Sequence, residues 1–315
     1  MWLCMNKKDI LPTIHPNHGI ITEAHTGDET NAMNPRLEDI LTRAEQLILH
    51  SPPHTPSPQT DILPPQPADW HVGVDLGTAY TVLTVMDGEG MPLAGAYRFA
   101  QVVRDGLVVD FFGAVNLLSQ LKAQVEENLG ISLNAAATGY PPGVPQAEVR
   151  ATANVLEAAD LECTGMVDEP TAANAILGLQ NGAIVDVGGG TTGVAILQNG
   201  QVVYTADEAT GGTHFTLTIA GALDIPFEAA ETIKTNPTEQ KKLYPTVRPV
   251  MEKVAAITAK HLQGYDVDAV YLVGGTCKFP RMAETMQAYL DLPVILPGDP
   301  LFITPMGIAM QHVKT

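Results

Sequence analysis

The sequence predicts an α/β protein of two related lobes, each a mixed sheet flanked by helices, with a flexible N-terminal extension. Residues 72–81 (VGVDLGTAYT) and 185–197 (VDVGGGTTGVAIL) both read as an apolar strand, an acid, a glycine-threonine turn and a second apolar strand. A third strand pattern and then alternating helices and strands follow each stretch. The second half of the chain therefore repeats the order of the first.

The extension, residues 1–68, is predicted to be disordered apart from one amphipathic helix at 35–49. Residues 1–34 are polar without an apolar period, so burial cannot offset their ordering entropy. Asn34 can cap the helix, whose apolar residues recur on one face. Residues 51–67 contain seven prolines and are predicted to form a semi-rigid tether. The helix must cover its apolar face either with this chain's own surface or with a groove on another protein.

The two lobes follow the extension. We predict the first lobe at residues 69–182, together with a C-terminal helix at 303–315. The second lobe is predicted at 183–302. Each lobe begins with three strands joined by tight turns, and its remaining strands are separated by helical patterns, which indicates a mixed rather than a purely antiparallel sheet.

The composition argues against several classes of protein. There are 35 acidic against 17 basic residues, a formal net charge of -18, which disfavours nucleic acid or an anionic membrane as the main partner. The three cysteines show no CxxC or metal spacing, which indicates a reducing compartment. Neither a signal peptide nor a run of about 18 uncharged apolar residues is found. We therefore expect a cytoplasmic protein that is not exported.

The two acid-tipped turns are predicted to hold one nucleotide between the lobes. Glycine lets the backbone adopt positive φ and approach a bound group with its N–H donors facing inward, which suits phosphate oxygens. A glycine run by itself is equally typical of a tight hairpin. The presence of two similar turns, about a hundred residues apart, is what favours a phosphate site.

Four stretches, in order, resemble the nucleotide-binding signatures of the superfamily of actin, sugar kinases and DnaK-type heat-shock chaperones. They are VGVDLGTAYT at 72–81, VDEPTAANAILG at 167–178, VDVGGGTTGVAIL at 185–197 and VYLVGGTCKFPRM at 270–282. The resemblance spans about residues 70–313. It implies the two-lobe actin-like ATPase fold, with duplicated ribonuclease-H-like mixed sheets, and it implies ATP and Mg²⁺ as cofactors.

Three further stretches resemble a small chaperone-like family of ethanolamine-utilisation proteins, encoded with bacterial microcompartment enzymes. They are VVRDGLVVDFFGAV at 102–115, ADEATGGTHFTLTIAG at 206–221 and LFITPMGIA at 301–309. The resemblance implies ethanolamine-utilisation enzymes or microcompartment proteins as partners, with the helix at 35–49 as one candidate contact. It extends the expected location from the cytoplasm to the microcompartment, because the helix and its tether also resemble short encapsulation peptides.

The superfamily resemblance assigns roles to individual residues. Asp75 and Asp186 would hold Mg²⁺ through water molecules, because this ion gives up its hydration shell reluctantly. Glu169 would orient the attacking water and, with Asp186, form the catalytic pair. Phosphate contacts are assigned to Gly77, Thr78, Gly188, Gly189, Gly190 and Thr191. Nucleoside contacts are assigned to Gly212, Gly274 and Gly275, to Glu231 and Lys234 beside the ribose, and to Lys278 over the purine.

These assignments have structural alternatives. Asp75 and Asp186 are also typical of strand-end acids that cap their own turns. Glu169 is also favoured by the dipole at the start of a helix. Glu231 and Lys234 also have the spacing of a surface i, i+3 ion pair.

The chain departs from the chaperone pattern in ways that bear on activity. The chaperones carry a second threonine at the position of Ala79 and an acid at the position of Gly193. No counterpart was found to the lysine that contacts the transferring phosphate, and losing such a cation lowers the rate on the order of a thousandfold. We expect at most a weak ATPase.

Three functions remain open at this level. The first is a chaperone-like ATP-dependent switch that assists or protects pathway enzymes. The second is an interaction scaffold that has lost ATPase activity. The third is a small-molecule kinase, which needs a general base in the cleft and has only Asp105 and Asp110 to offer in the first lobe.

Overall fold

The computed structural model of the protein describes residues 35–50, 65–104 and 107–312. The predicted disordered segment 1–34 and most of the proline-rich tether lie outside these described residues.

The first half of the chain is built on a six-stranded mixed sheet with the order β1-β4-β3-β2-β7-β8. Strands β2, β3 and β4 form an antiparallel meander, while β7 and β8 continue the sheet in parallel to β2. The strands are β1 Ile48–His50, β2 His71–Leu76, β3 Tyr80–Met86, β4 Pro92–Phe99, β7 Ala135–Tyr140 and β8 Glu162–Asp168. A separate two-stranded hairpin, β5 Val103–Arg104 and β6 Leu107–Val108, was not predicted.

The second half repeats the pattern in a five-stranded sheet with the order β11-β10-β9-β12-β13. An antiparallel meander is again followed by parallel strands. The strands are β9 Gly182–Val187, β10 Thr192–Gln198, β11 Gln201–Glu208, β12 Val270–Val273 and β13 Val294–Ile295. The predicted duplication of mixed sheets is confirmed.

Nine α-helices occur in the described residues. Their bounds are α1 Pro35–Leu47, α2 Phe111–Leu129, α3 Gln146–Ala158, α4 Glu169–Leu177, α5 Gly212–Leu223, α6 Phe227–Thr235, α7 Pro237–Leu262, α8 Met282–Leu290 and α9 Ile303–Ala309. Helix α7 continues through Pro245 and Pro249, where the sequence pattern predicts a helix that begins only near Thr246. Its first turn is capped by Asn236, whose side chain accepts a hydrogen bond from the N–H of Thr238.

Helices α4 and α9 cross closely beside the first sheet. Gly307 of α9 lies directly against the backbone of Ala172 in α4, so that any side chain there would clash. A Cβ on Gly73 of β2 would lie 2.6 Å from the N of Ala309. Small residues therefore allow α9 to lie on both β2 and α4. The predicted C-terminal helix is shorter than expected: after Ala309 the chain tightens into a 3₁₀ turn, Met310–His312, and residues 313–315 lie outside the described range.

The helix predicted at 35–49 ends at Leu47, because the next three residues form β1 and pair in parallel with β4. Its apolar face, Leu37, Ile40, Leu41 and Ala44, is buried. Leu41 is 1% exposed and lies against Gly298 of the second half, where an added Cβ would be 3.0 Å from the Cβ of Leu41. Of the two alternatives for this helix, the structure therefore has the one in which its own chain covers it.

Candidate nucleotide-binding cleft

The two acid-tipped turns meet each other. A Cβ placed on Gly189, in the β9–β10 turn, would collide with the Cβ of Ala79 and lie 2.9 Å from its N, in the β2–β3 turn. Both turns close in the same way, since Gly77 N donates to Tyr80 O at 3.0 Å and Gly188 N donates to Thr191 O at 3.1 Å. The duplicated hairpins therefore present equivalent backbone to one place between the sheets.

A cleft of about 190 Å³ opens beside these turns. Every residue that the sequence analysis assigns to the site lines it: Asp75, Gly77, Thr78, Glu169, Asp186, Gly188, Gly189, Gly190, Thr191, Gly212, Glu231, Lys234, Gly274, Gly275 and Lys278. These residues come from both sheets and from the helices α4, α5 and α6. The structure thus brings the predicted residues together, while their individual roles remain predictions.

Three carboxylates, Asp75, Glu169 and Asp186, are enclosed at the base of the cleft. Burial, and then the charge of Asp186, raise the pKa of Asp75 to about 7. Burial raises the pKa of Asp186 to about 6, against a lowering effect of the hydrogen bond from Thr304. The pKa of Glu169 is raised well above its ordinary value, first by burial and then by Asp75. Asp186 therefore disfavours the ionised form of Asp75, and Asp75 and Asp186 both disfavour the ionised form of Glu169.

This cluster fits a divalent cation. Among the described residues that line the cleft, the cations are Lys234 and Lys278, and each is paired with an acid other than these three. Nor do the described residues hold three acidic, histidine or cysteine side chains close enough to bind an ion directly. The arrangement suits an ion held through its water shell, as magnesium prefers.

The alternative roles of the acids are less well supported by the contacts. Asp186 Oδ2 accepts a hydrogen bond from Thr304 Oγ1 at 3.4 Å, from helix α9 rather than from its own turn. The turn amides instead bond to backbone carbonyls, as described above for both hairpins. Glu169 is the first residue of α4, but Asp168 caps that helix by accepting from Thr171 N at 3.0 Å. The carboxylate of Glu169 is therefore not required as a cap.

Glu231 and Lys234 form an enclosed pair, and the alternative of a surface pair is wrong. Their side chains are 14% and 15% exposed, with Lys234 Nζ 2.7 Å from Glu231 Oε2. Thr216 Oγ1, which sequence reasoning missed, donates to the same Glu231 oxygen and lies 2.9 Å from Lys234 Nζ. Burial lowers the pKa of Lys234, while the charge of Glu231 opposes that shift. Lys234 also donates to Gly212 O at 3.3 Å, which connects the pair to the start of α5.

Steric contacts explain why glycine follows strand β12. Gly274 has a φ of +88°, and a Cβ there would collide with a carboxylate oxygen of Asp186 and lie 2.6 Å from Val187 O. Thr276 Oγ1 donates to Gly188 O at 2.8 Å, which ties this segment to the β9–β10 turn. Lys278 donates to the buried carboxylate of Asp299 while its own side chain stays 49% exposed.

The cleft also contains residues that sequence reasoning missed. Asp207 on β11 and Thr304 on α9 both line it. Asp207 is paired across the sheet with Gly193, the position where the chaperone pattern has an acid. Strand register identifies Asp207, because it lies opposite Gly193 on the neighbouring strand. This register is known only once the strands are paired.

Of the two bases considered for a kinase, Asp105 lies outside the described residues, and Asp110 caps α2 by accepting a hydrogen bond from Gly113 N at 2.9 Å.

Two duplicated mixed sheets that meet at a cleft lined by paired acid-tipped turns define the actin-like ATPase fold, and the chain has this fold. MreB 5 of Spiroplasma citri, solved bound to AMPPNP, superposes with a TM-score of 0.62 at 17% identity, over 78% of this chain and 97% of that one. The PilM-PilN type IV pilus biogenesis complex superposes with a TM-score of 0.67 at 15% identity, over 78% of this chain and 99% of the other chain. A family model described as type IV pilus assembly protein PilM matches residues 171–301.

Within this fold class the chain belongs to the EutJ family of ethanolamine utilization proteins. It is 46% identical to EutJ of Salmonella typhimurium over 239 residues, covering 76% of this chain and 84% of that protein. The crystal structure of EutJ from Carboxydothermus hydrogenoformans has a TM-score of 0.79 at 44% identity, over 87% of this chain and 98% of the other.

A more distant similarity reaches the chaperones. The chaperone protein HscA homolog of Burkholderia thailandensis is 26% identical over 259 residues, which cover 66% of this chain but only 42% of that protein. The match therefore extends over less than half of the chaperone. In the part of the chain that the structure describes, no helix is both long and apolar enough to cross a membrane.

Proposed function

We propose that the protein is a nucleotide-binding switch of ethanolamine utilisation that takes ATP with Mg²⁺ and assists or protects enzymes or microcompartment proteins of the pathway in a chaperone-like way. One observation carries the proposal: turns of equivalent geometry from two different sheets meet beside an enclosed acid cluster, and in the described part of the chain the cleft lysines pair with other acids. Membership of the EutJ family supplies the pathway, and the similarity to HscA supports the chaperone-like role.

The residues of the cleft divide the work of binding. Asp75 and Asp186 would hold Mg²⁺ through its water shell, and the bound ion would supply the positive charge that a triphosphate needs. Backbone N–H groups of the two glycine turns would donate to phosphate oxygens. Glu231 and Lys234, already aligned by Thr216, offer one acceptor and one donor beside Gly212 for ribose hydroxyls.

Hydrolysis, in this proposal, is slow. Glu169 is enclosed with a raised pKa, so at neutral pH it needs a neighbouring cation before it can act as an ionised base. Both cleft lysines in the described residues are engaged in ion pairs, Lys234 with Glu231 and Lys278 with Asp299. Neither is free to stabilise charge at a transferring phosphate, which is where such a cation lowers the barrier most.

Nucleotide binding would act on the rest of the protein by changing how the two sheets meet. In the structure the turn at Gly189 touches the turn at Ala79. A phosphate group bound between the turns would separate them, and helices α4 and α9, which pack on each other, lie at the junction. A ligand with different affinity for the two arrangements shifts their populations, which is the basis of a switch.

The contact between Gly189 and Ala79 also favours a second candidate, a scaffold that has lost nucleotide binding, because the turns touch in the structure and a phosphate between them would have to separate them. In either candidate the partner does not bind the apolar face of helix α1, since that face is buried within this chain.

Isothermal titration with ATP and Mg²⁺ separates these functions. We expect binding that Asp186→Ala abolishes, together with a turnover far below that of a metabolic kinase. Absence of heat at millimolar nucleotide would support the scaffold instead. Fast phosphoryl transfer to a small substrate would overturn both in favour of a kinase.

A further inference from the structure

Three strands of the second sheet carry one row of residues that faces the cleft. Asp186 on β9, Gly193 on β10 and Asp207 on β11 lie directly opposite one another in register. Directly opposite residues of antiparallel strands place their side chains on the same face of the sheet. The row therefore reads acid, glycine, acid, and both acids line the cleft.

The glycine in this row leaves a gap between the two acids. A Cβ built on Gly193 would lie 3.8 Å from the Cβ of Asp186 and 3.8 Å from Oδ1 of Asp207, which are ordinary van der Waals contacts. Its φ is not positive, so neither backbone conformation nor crowding requires glycine there. The absence of a side chain at Gly193 leaves space above β10. The carboxylate of Asp207 extends from the edge strand β11 to the border of that space.

The negative charge of Asp207 acts on the acids at the base of the cleft. It contributes to raising the pKa of both Asp186 and Glu169. The neighbouring acid, Glu208, faces the other way. Its Oε1 accepts a hydrogen bond from Lys260 and also contacts His261, both in helix α7. Adjacent residues of β11 thus lie in different places: Glu208 contacts helix α7, and Asp207 lines the cleft.

We propose that Asp207 is a cation-holding residue of this cleft, which replaces the side chain absent at Gly193 and binds the water shell of the divalent ion from the β11 side. The inference rests on the proposed cation and nucleotide binding. Because Asp207 is exposed at the cleft border, it meets a hydrated ion without a large desolvation cost. It is a positioning residue: it would set the affinity for the ion rather than take part in bond breaking.

The test compares four full-length proteins: wild type, Asp207→Asn, the exchange Asp207→Asn with Gly193→Asp, and the control Glu208→Gln. Mn²⁺ binding without nucleotide is followed by electron paramagnetic resonance, and ATP binding is titrated at a series of Mg²⁺ concentrations. Asp207→Asn should weaken Mn²⁺ affinity and raise the Mg²⁺ midpoint by about fivefold, as expected for one carboxylate that acts through water. The exchange should recover most of the loss, and Glu208→Gln should match the wild type.

The two readouts separate this proposal from the function on which it rests. Equal Mn²⁺ affinity in wild type and Asp207→Asn, or no Mn²⁺ binding by the wild type, overturns the role of Asp207. An exchange variant that binds Mn²⁺ as weakly as Asp207→Asn also overturns this role, because the geometry of the row predicts that an acid at position 193 or at position 207 can hold the ion. A wild type that binds Mn²⁺ through Asp207 but takes no ATP would overturn the nucleotide switch and leave the ion site supported.

Discussion

Gly189 lies against Ala79, and this contact joins the two halves of the molecule at the point where their glycine turns meet. The N of Ala79 would be only 2.9 Å from a Cβ at position 189. Each turn belongs to the antiparallel meander of its own sheet, so the contact exists only because two copies of one hairpin face each other. Its consequences for stability and binding are open to measurement.

Replacing Gly189 by alanine should force the turns apart. Overpacking of this kind costs about 1–3 kcal/mol of unfolding free energy. For a chain of this size we expect the melting temperature to fall by about 2–4 °C per kcal/mol. Ala79→Gly in the same chain should recover part of the loss, because it removes the nearest carbon but not the backbone N. An unchanged melting temperature in Gly189→Ala would mean that the turns do not touch in solution.

The acid cluster should make the ion-free protein less stable as the pH rises. The pKa of Asp75 is about 7 and that of Asp186 about 6 in the folded state, against an ordinary 3.8. Between these values the folded protein binds more protons than the unfolded chain, so stability falls as pH rises from about 4 to about 7. We expect these groups to lower the free energy of unfolding by several kcal/mol overall, since each pKa unit corresponds to about 1.4 kcal/mol.

Two controls identify the cluster as the source of this pH dependence. Asp75→Asn should flatten the curve and raise the melting temperature at pH 7.5, because it removes one of the like charges. Addition of Mg²⁺ at pH 7.5 should stabilise the wild type more than this variant. Denaturation curves with the same pH slope in both proteins would contradict the assignment.

Removing both members of the Glu231–Lys234 pair should cost less free energy of unfolding than the sum of the two single removals. Glu231→Ala leaves an enclosed lysine without its carboxylate, which costs about 3 kcal/mol. Lys234→Met together with Glu231→Ala should cost less than the sum of the single changes, with a coupling of about 1–3 kcal/mol. Chemical denaturation of the three variants measures this. Additive effects would indicate that solvent screens the pair.

Helix α1 should contribute to the stability of the body. Leu41→Ala removes a side chain that is 1% exposed, which costs about 2–4 kcal/mol. Exposed Glu38 on the same helix provides the matched control, since Glu38→Ala should leave the unfolding midpoint nearly unchanged. If Leu41→Ala unfolds at the wild-type temperature, the helix detaches in solution, and docking onto another protein becomes the better interpretation.

Much of the cleft could be predicted because its requirements are local. A turn that exposes backbone N–H groups needs glycine at a few adjacent positions, and an acid at the end of a buried strand is visible as a break in an apolar run. For this reason the turns at Gly77 and Gly189 and the acid Asp186 could be located before any strand was paired with another. The order of strands also predicted the duplication, since the same pattern occurs twice in the chain.

The remaining features depend on which segments become neighbours. Spacing along the chain could not distinguish an enclosed Glu231–Lys234 pair from a surface one, because Thr216 and the cleft wall come from another helix. It could not show that Ile48–His50 joins a sheet, since β1 has a partner only in β4.

By itself, the sequence determined the two-sheet duplication and the acid-tipped turns, because each follows from periodicity or from a backbone conformation that few residues allow. Further cleft residues, such as Glu169 and Lys278, were assigned through the resemblance to the chaperone superfamily. Only the tertiary structure decided that helix α1 is covered by its own chain, that Glu231 and Lys234 are enclosed, and that Asp207 extends beside the gap at Gly193. These features are distances between segments remote in the chain, and they are set by strand register and helix packing, which no local pattern specifies.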